Sequence, residues 1–466
     1  VILGIDNQSI VGDSASIPTL EKVRDLLKGP NGTKVNITFK RPGIDTLQSI
    51  DLERKQVEFP DVPYSGTLDN DSSIGYIKLQ RFGRDAGKVM QKALLQMKDQ
   101  HVSGLILDLR DNSGGELFSA VQIASLFFRD GTFLGSSEGN GSMYPNEVYY
   151  SGKLDLRQYG YSRSELPSSE NDGIFFDGKQ IIDPDDTKII ILTNKRTASA
   201  AEFLSGVFQD LDKAIIIGAD ESTLGKGIGQ REMWLPDGGA LKLTYHEFYT
   251  PSGRCVQRKQ YQNGPVHNRE NIDQVGKAFH TKNGRLINDR QGIEVDYMVE
   301  PKTSLLNAIL SSSGAYFAFA TEFCARHNQA SHINADLVVN DEVYADFKSF
   351  VVKEERRGNL NLLDYFDEQH LLRKIAQLSD ESDHDSTQIQ RRLANLRRQV
   401  VQYLLNDFET CNEIIRLELE QNILARQLSQ SELIRRSLQH DGCVKEAVSI
   451  IDDTNRFRSL LANTPT

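Results

Sequence analysis

Two short segments hold residue types that could act together on a carbonyl group. Thr197-Ala198-Ser199-Ala200-Ala201-Glu202 follows the apolar run 188–193, and Gly225-Lys226-Gly227-Ile228-Gly229-Gln230 follows the apolar run 214–218. A serine hydroxyl becomes a nucleophile when a neighbouring base takes its proton, and a desolvated lysine amine can be that base. A solvated lysine titrates near ~10.4, so such a base needs a dry setting that lowers its pKa. Glycines on both sides of Lys226 let backbone approach it closely, and Gln230 could hydrogen-bond the amine without adding a charge. The same residues admit a plainer reading. Ser199 and Glu202 match a capping box, with Thr197 as an alternative cap, and a lysine in a glycine-rich loop is ordinarily solvated. The nearest histidine is His246, inside a strand-like run.

The elements around these segments decide whether they meet. Runs 188–193 and 214–218 are short and apolar, and a helical pattern from about Ala200 to Gln209 separates them, with Phe203, Leu204, Val207 and Phe208 as its apolar face. That is a β-α-β unit, whose parallel strands bring their carboxyl ends to one edge of a sheet. A third strand, 104–110, runs into Asp111-Asn112-Ser113-Gly114-Gly115 and then a helical pattern over 117–128. A glycine pair before a helix exposes N–H groups where the helix dipole is positive. In acyl transfer such donors hold an oxyanion; otherwise this is an ordinary strand-to-helix turn.

The blocks Leu107-Asp108-Leu109-Arg110-Asp111-Asn112-Ser113-Gly114-Gly115, Ala198-Ser199-Ala200-Ala201-Glu202, Gly225-Lys226-Gly227 with Gln230, and Tyr249-Thr250-Pro251-Ser252-Gly253-Arg254 resemble the carboxyl-terminal processing (tail-specific) proteases, serine peptidases of family S41. The resemblance covers roughly residues 1 to 370. It implies Ser199 as nucleophile, Lys226 as general base and Gln230 as its orienting partner. It offers Asp210 as a third relay residue, although a carboxylate touching the lysine would oppose its neutral form, so the residue chemistry favours a structural Asp210. Oxyanion donors by the same resemblance are the amide of Gly114 or Gly115 and that of Ala200.

The resemblance extends to the fold, a crotonase-like α/β core with a PDZ module and a helical tail. Residues 1–42 read strand, helix, strand and are similar to the second half of a bacterial PDZ domain, beginning inside it, with 43–72 a linker. Such modules capture a substrate's C-terminal segment as an added strand, which implicates Leu20, Val23 and Leu27 of the helix. The core is expected over 73–302, with a surface insertion at about 135–180, and a helical region over 303–466, where 400–427 is amphipathic through Leu404, Phe408, Cys411, Ile415 and Leu419. Trp234 lies in a hairpin, 233–246, and is expected in the core or a cleft wall.

A net charge of −11 disfavours nucleic acid as a partner. No apolar run approaches the ~18 residues that cross a bilayer, and no signal peptide is read at the start. Four cysteines with no C-x-x-C pair are read as free thiols rather than a zinc site. The acidic run 380–385 lacks the ordered spacing of a metal loop, and no cofactor or metal is expected. The resemblance implies protein or peptide substrates cut near apolar C-termini, in the periplasm or cell envelope, with a homo-oligomer or an adaptor protein as open partner choices. The alternatives are a non-catalytic peptide-binding relative and a crotonase-class acyl-CoA enzyme, which ordinarily needs site carboxylates.

Overall fold

The computed structural model describes residues 1–11, 19–41, 44, 46–57, 59–69, 71–139, 145–155, 175–261, 266–268, 278–300, 304–327, 339–358, 360, 362, 395, 398–399 and 401–462. They fall into two units: Val1–Phe59 with Lys302–Ser429, and Pro60–Pro301 with Gln430–Thr466.

In the first unit, β1 (Ile2–Ile5), β2 (Gln8–Ser9), β3 (Lys34–Phe39) and β4 (Gln48–Glu53) form an antiparallel sheet in the order β2-β1-β3-β4. Helix α1 (Leu20–Leu27) starts at Thr19, whose hydroxyl accepts from Lys22 N–H at 3.3 Å. Its Val23, Leu26 and Leu27 pack on Ile5, Val35 and Ile37. Val23 and Leu27 therefore belong to the module's own core, while Leu20 is 87 % exposed; the expected trio does not form one surface. The module also continues past residue 42, because β4 pairs along the full length of β3.

Among the described residues, the later part of this unit includes α5 (Leu305–Ser312), α6 (Ala315–His327), α7 (Asp341–Arg356) and α8 (Asn412–Leu424). They bury Phe319, Phe347, Leu404, Phe408, Ile415 and Leu419 together, as the amphipathic spacing over 400–427 predicts. Cys411 at the head of α8 is only half-buried. The acidic run 380–385 lies outside the described residues.

The second unit is built on a six-stranded sheet of β5 (Tyr64–Leu68), β6 (Asp71–Lys78), β7 (Gly104–Asp108), β12 (Lys188–Thr193), β13 (Ile215–Gly218) and β20 (Tyr297–Met298), in the order β20-β13-β12-β7-β6-β5. Only β5 runs antiparallel to its neighbour. Successive side chains alternate between faces. Ile77, Leu105, Leu107, Ile189, Ile191 and Ile216 meet α2 (Ala86–Asp99), α3 (Leu117–Ser125) and α4 (Ala200–Asp210) on one face. Tyr76, Ile106, Ile190, Leu192, Ile215 and Ile217 point the other way and pack on α9 (Gln430–Ser437), α10 (Gly442–Asp452) and α11 (Thr454–Leu461). A parallel sheet must be covered on both faces, and residues 430–461 provide the second cover. The helical region expected as one tail over 303–466 is thus shared between the two units, and β5 occupies part of the expected 43–72 linker.

A second sheet, antiparallel and ordered β14-β15-β8-β9, consists of β14 (Ile228–Trp234), β15 (Ala240–Tyr249), β8 (Phe133–Gly139) and β9 (Glu147–Tyr150). The expected insertion at 135–180 therefore begins as sheet, and its residues 156–174 lie outside the described ones. Trp234 is 78 % exposed at the hairpin end, not in a core or cleft wall. Short pairings, β10 (Leu154–Asp155) with β11 (Phe175–Phe176), β16 (Lys259–Tyr261) with β17 (Val266–Asn268), and β18 (Ala278–His280) with β19 (Leu286–Asn288), join the remaining loops. The four cysteines are free thiols.

The sheet's second cover is testable. Ile450→Ala, at a fully buried position against the sheet, should lower stability by about 2–5 kcal/mol in chemical unfolding. Leu305→Ala, half exposed, should stay within about 0.5 kcal/mol of the parent. Equal effects would refute the assignment of 430–461 to the core.

Candidate active site

The carboxyl ends of β7, β12 and β13 deliver three loops to one edge of the sheet. Between β12 and α4 the chain turns at Ser199, whose φ is 58° and ψ −122°. A non-glycine residue with positive φ is uncommon outside strained or functional turns. The turn sets Ser199, half-buried, at the amino end of α4. Thr197 does not cap this helix. It is buried, donates to Leu109 O at 2.9 Å and accepts from Asn194 N–H at 3.0 Å.

Glu202 ties the serine turn to the lysine loop. Its carboxylate is wholly buried. Oε2 accepts from the backbone N–H of Ser199 and from that of Lys226, each at 2.8 Å. Oε1 accepts from the Thr223 hydroxyl at 2.5 Å and from Gly225 N–H at 2.6 Å. Two nitrogens bound to one oxygen can be no farther apart than twice 2.8 Å, so Ser199 and Lys226 are backbone neighbours. Burial pushes the Glu202 carboxyl up, while the donors from Thr223, Lys226, Gly225 and Ser199 act in the opposite direction. Gly225 adopts φ +84°, and at Gly227 a Cβ would come within 2.8 Å of Gln257 N and 3.0 Å of Cys255 Sγ. Gln257 Oε1 also accepts from Gly227 N–H at 2.7 Å. Lys226 is half-buried, and its amine has no ion-pair partner among the described residues.

The glycine turn after β7 packs on the same point. A Cβ on Gly114 would lie 2.7 Å from Ser199 Cβ and 3.0 Å from Ala200 N, and one on Gly115 only 2.1 Å from Phe82 O. Side chains are therefore excluded at both positions. Asn112 organises the turn: Gly114 N–H donates to its Oδ1 at 2.8 Å, its Nδ2 donates to Leu79 O at 2.8 Å, and its carbonyl accepts from Ala198 N–H at 2.9 Å. Gly114 N–H is thus spent. Of the expected donors, Gly115 and Ala200 remain, the latter at the positive end of α4.

Two expected site residues contact other groups. Gln230 is exposed on β14, its Nε2 at 3.5 Å from Thr244 Oγ1. Asp210 closes the far end of α4, about 16 Å from Ser199 along an 11-residue helix rising ~1.5 Å per residue. There it forms a fully buried ion pair with Arg254 at 2.9 Å, and accepts from Ser252 N–H at 3.0 Å and from the Thr250 hydroxyl. The helix interior separates this carboxylate from the serine, so it acts there as the anchor of the 250–254 turn. Sequence reasoning missed Asn112, Gln257 and the reach of Glu202; the one signal for Glu202 was its place in Ser-x-x-Glu.

Residues 73–264 match the family described as peptidase family S41, which bears out the resemblance over that span. Residues 306–451 match one described as probable PDZ-protease, C-terminal helical domain. The chain is 28 % identical over 258 residues to a carboxyl-terminal-processing protease of Synechocystis sp., covering 55 % of this chain and 50 % of the relative. It is 30 % identical over 261 residues to a carboxy-terminal-processing protease of Bartonella bacilliformis, covering 55 % and 52 %. The chain spans about half the length of the curated relatives it matches. Among solved structures, the photosystem II D1 C-terminal processing protease aligns with a TM-score of 0.36 at 23 % identity, over 65 % of this chain and 63 % of that one.

The clamp makes a prediction about stability. Glu202→Ala leaves four donors unpaired and should cost at least about 3 kcal/mol in chemical unfolding, whereas Thr223→Val, which removes one of those donors and the acceptor of Ile293 N–H, should cost less, about 1–2 kcal/mol. Equal losses would mean that Glu202 does not hold the two loops together.

Proposed function

We propose that a chain whose residues 73–264 match peptidase family S41 works there as a serine endopeptidase with a Ser199–Lys226 dyad. The observation that carries this reading is the shared acceptor, Glu202 Oε2, which keeps the backbones of Ser199 and Lys226 side by side. Ser199 Oγ attacks the scissile carbonyl as neutral Lys226 takes the hydroxyl proton. The N–H groups of Gly115 and Ala200 receive the developing oxyanion. The lysine ammonium then gives its proton to the departing amine, and a water deprotonated by Lys226 releases the acyl group from Ser199. Gln230 is the group proposed to steady the amine, in exchange for its long contact with Thr244.

Glu202 also weighs against a crotonase-class acyl-CoA reading. It is the buried carboxylate of this site, and both of its oxygens already hold backbone amides or a hydroxyl. A carboxylate so engaged is a poor proton acceptor for a substrate.

The relatives' names describe processing at carboxyl termini, and we take protein substrates with apolar C-termini as the class. Residues 1–53 serve in this reading as a partial PDZ module that captures such a terminus by strand addition, within a crotonase-like architecture and in the cell envelope. Among the described residues no helix is long and apolar enough to cross a membrane.

The test is hydrolysis of a fluorogenic, unfolded protein ending in apolar residues. Ser199→Ala should reduce cleavage to background, and Lys226→Ala should lower kcat by about 10²–10⁴-fold, both with unchanged unfolding midpoints. Full activity in either variant would remove the dyad.

A further inference from the structure

The turn that carries Gly114 and Gly115 is fixed at its other end by a buried charge cluster. Asp108, the last residue of β7, is almost fully buried. It accepts from Tyr76 OH at 2.6 Å, from Lys78 Nζ at 3.0 Å, from Arg110 N–H at 2.8 Å, and from the Arg110 guanidinium at 2.6–3.1 Å. Burial alone would raise this carboxyl, but Arg110 and Lys78 beside it hold it well below the usual carboxylate range. Lys78 Nζ also donates to Arg110 O at 2.7 Å. Both the side chain and the backbone of Arg110 are therefore held.

One arm of Arg110 reaches out of this cluster. Its Nη1 lies 2.7 Å from Asp441 Oδ2. Asp441 is the cap of α10: its Oδ1 accepts from Cys443 N–H at 2.9 Å and from Val444 N–H at 3.1 Å. From Arg110 the connection toward the serine is short. Asp111 N–H donates to Asn194 Oδ1 at 3.0 Å, and Asn194 Nδ2 returns to Asp111 Oδ1 at 2.8 Å. Asn112 binds Gly114 N–H and Ala198 N–H on either side of the candidate oxyanion site. A substitution at Arg110 thus acts five residues from the Gly115 donor, through a turn with no slack: Asp111 already sits at φ 64° and Gly114 at φ 95°.

We propose that Arg110 and Asp441 form a positioning relay, through which the docked C-terminal segment 430–461 sets the placement of the Gly115 oxyanion donor. The inference rests on the peptidase reading of Ser199 and Lys226. The segment then completes the active site as well as covering the sheet. Neither residue touches substrate. Each acts through the turn, so its loss falls on the transition state, where the oxyanion develops, and not on ground-state binding.

The test uses the full chain and Asp441→Asn, because asparagine caps a helix about as well as aspartate but cannot pair with a guanidinium as an ion. A second variant, Arg110→Lys, keeps the charge and loses the two-sided fork. Each should lower kcat roughly ten- to a hundredfold, the scale of an ångström-sized misplacement, with KM within about twofold. The double variant should be no slower than Arg110→Lys alone, since both break one connection. Hydrogen exchange across 109–116 should quicken in Asp441→Asn relative to β7 and β12. Wild-type kcat in both single variants together with unchanged exchange over 109–116 would overturn the relay, as would losses confined to KM. If the wild-type protein cleaves nothing, the peptidase reading fails, and the exchange comparison alone then decides the relay.

Discussion

Everything at the carboxyl edge of the sheet depends on one buried carboxylate. Removing Glu202 from water is costly unless its lone pairs are filled, and three backbone amides and a hydroxyl fill them. The position in the first turn of α4 adds to this, because an anion there faces the positive end of the helix. The carboxylate also supports the turn at Ser199, whose left-handed φ would cost on the order of 1–3 kcal/mol without surrounding restraint. Strain at the serine and burial at the glutamate are thus two sides of one arrangement. The helix can start abruptly beneath the half-buried Ser199 because its third residue reaches back, and the same residue takes hold of the lysine loop.

That arrangement is possible because the sheet is parallel. Strands β7, β12 and β13 end side by side, so the turns after them meet without long connections. Parallel strands need apolar cover on both faces, and the second cover is supplied by residues 430–461, far along the chain from the strands they protect. The alternation of Ile189 and Ile191 toward one face and Ile190 and Leu192 toward the other makes the cost of removing that cover large. Two of the sheet's faces, and therefore the positions of its loops, are specified by segments separated by more than two hundred residues.

Much of this was legible in the sequence. Uninterrupted apolar runs such as Lys188–Thr193 announce strands buried on both sides, and the Phe203, Leu204, Val207 and Phe208 face announces α4. Serine and lysine motifs at the ends of two such strands could be expected to meet. The strands β4 and β5 were hidden for a physical reason: Gln-Ser-Ile-Asp-Leu-Glu is almost wholly exposed, and Tyr-Ser-Gly-Thr-Leu has a glycine at its centre. Trp234 misled because a lone tryptophan suggests a core, yet it lies at the end of a hairpin. The spent amide of Gly114 could not be read at all, since it depends on the side chain of Asn112 folding back two residues. Nor does Ser-x-x-Glu reveal that the glutamate serves a loop more than twenty residues away.

Asp210 shows how a residue remote from the candidate dyad can still bear on its placement. At the carboxyl end of α4 its carboxylate gathers Thr250, Ser252 and Arg254, and Arg254 also donates to Gln209 Oε1 at 2.7 Å. This turn closes β15, and two residues before it Phe248 N–H donates to Gly227 O at 3.0 Å. Three residues after it, Gln257 accepts from Gly227 N–H. The lysine loop is therefore gripped from both sides of its glycine by chain anchored at Asp210, and from below by Glu202. Helix α4 links the two anchors as a rigid rod, with the serine turn at one end and the turn that braces the lysine at the other. An aspartate at this position matters to such a site through the geometry of the rod. A proton relay would require it to cross the length of a helix whose interior offers only backbone groups already bonded to one another.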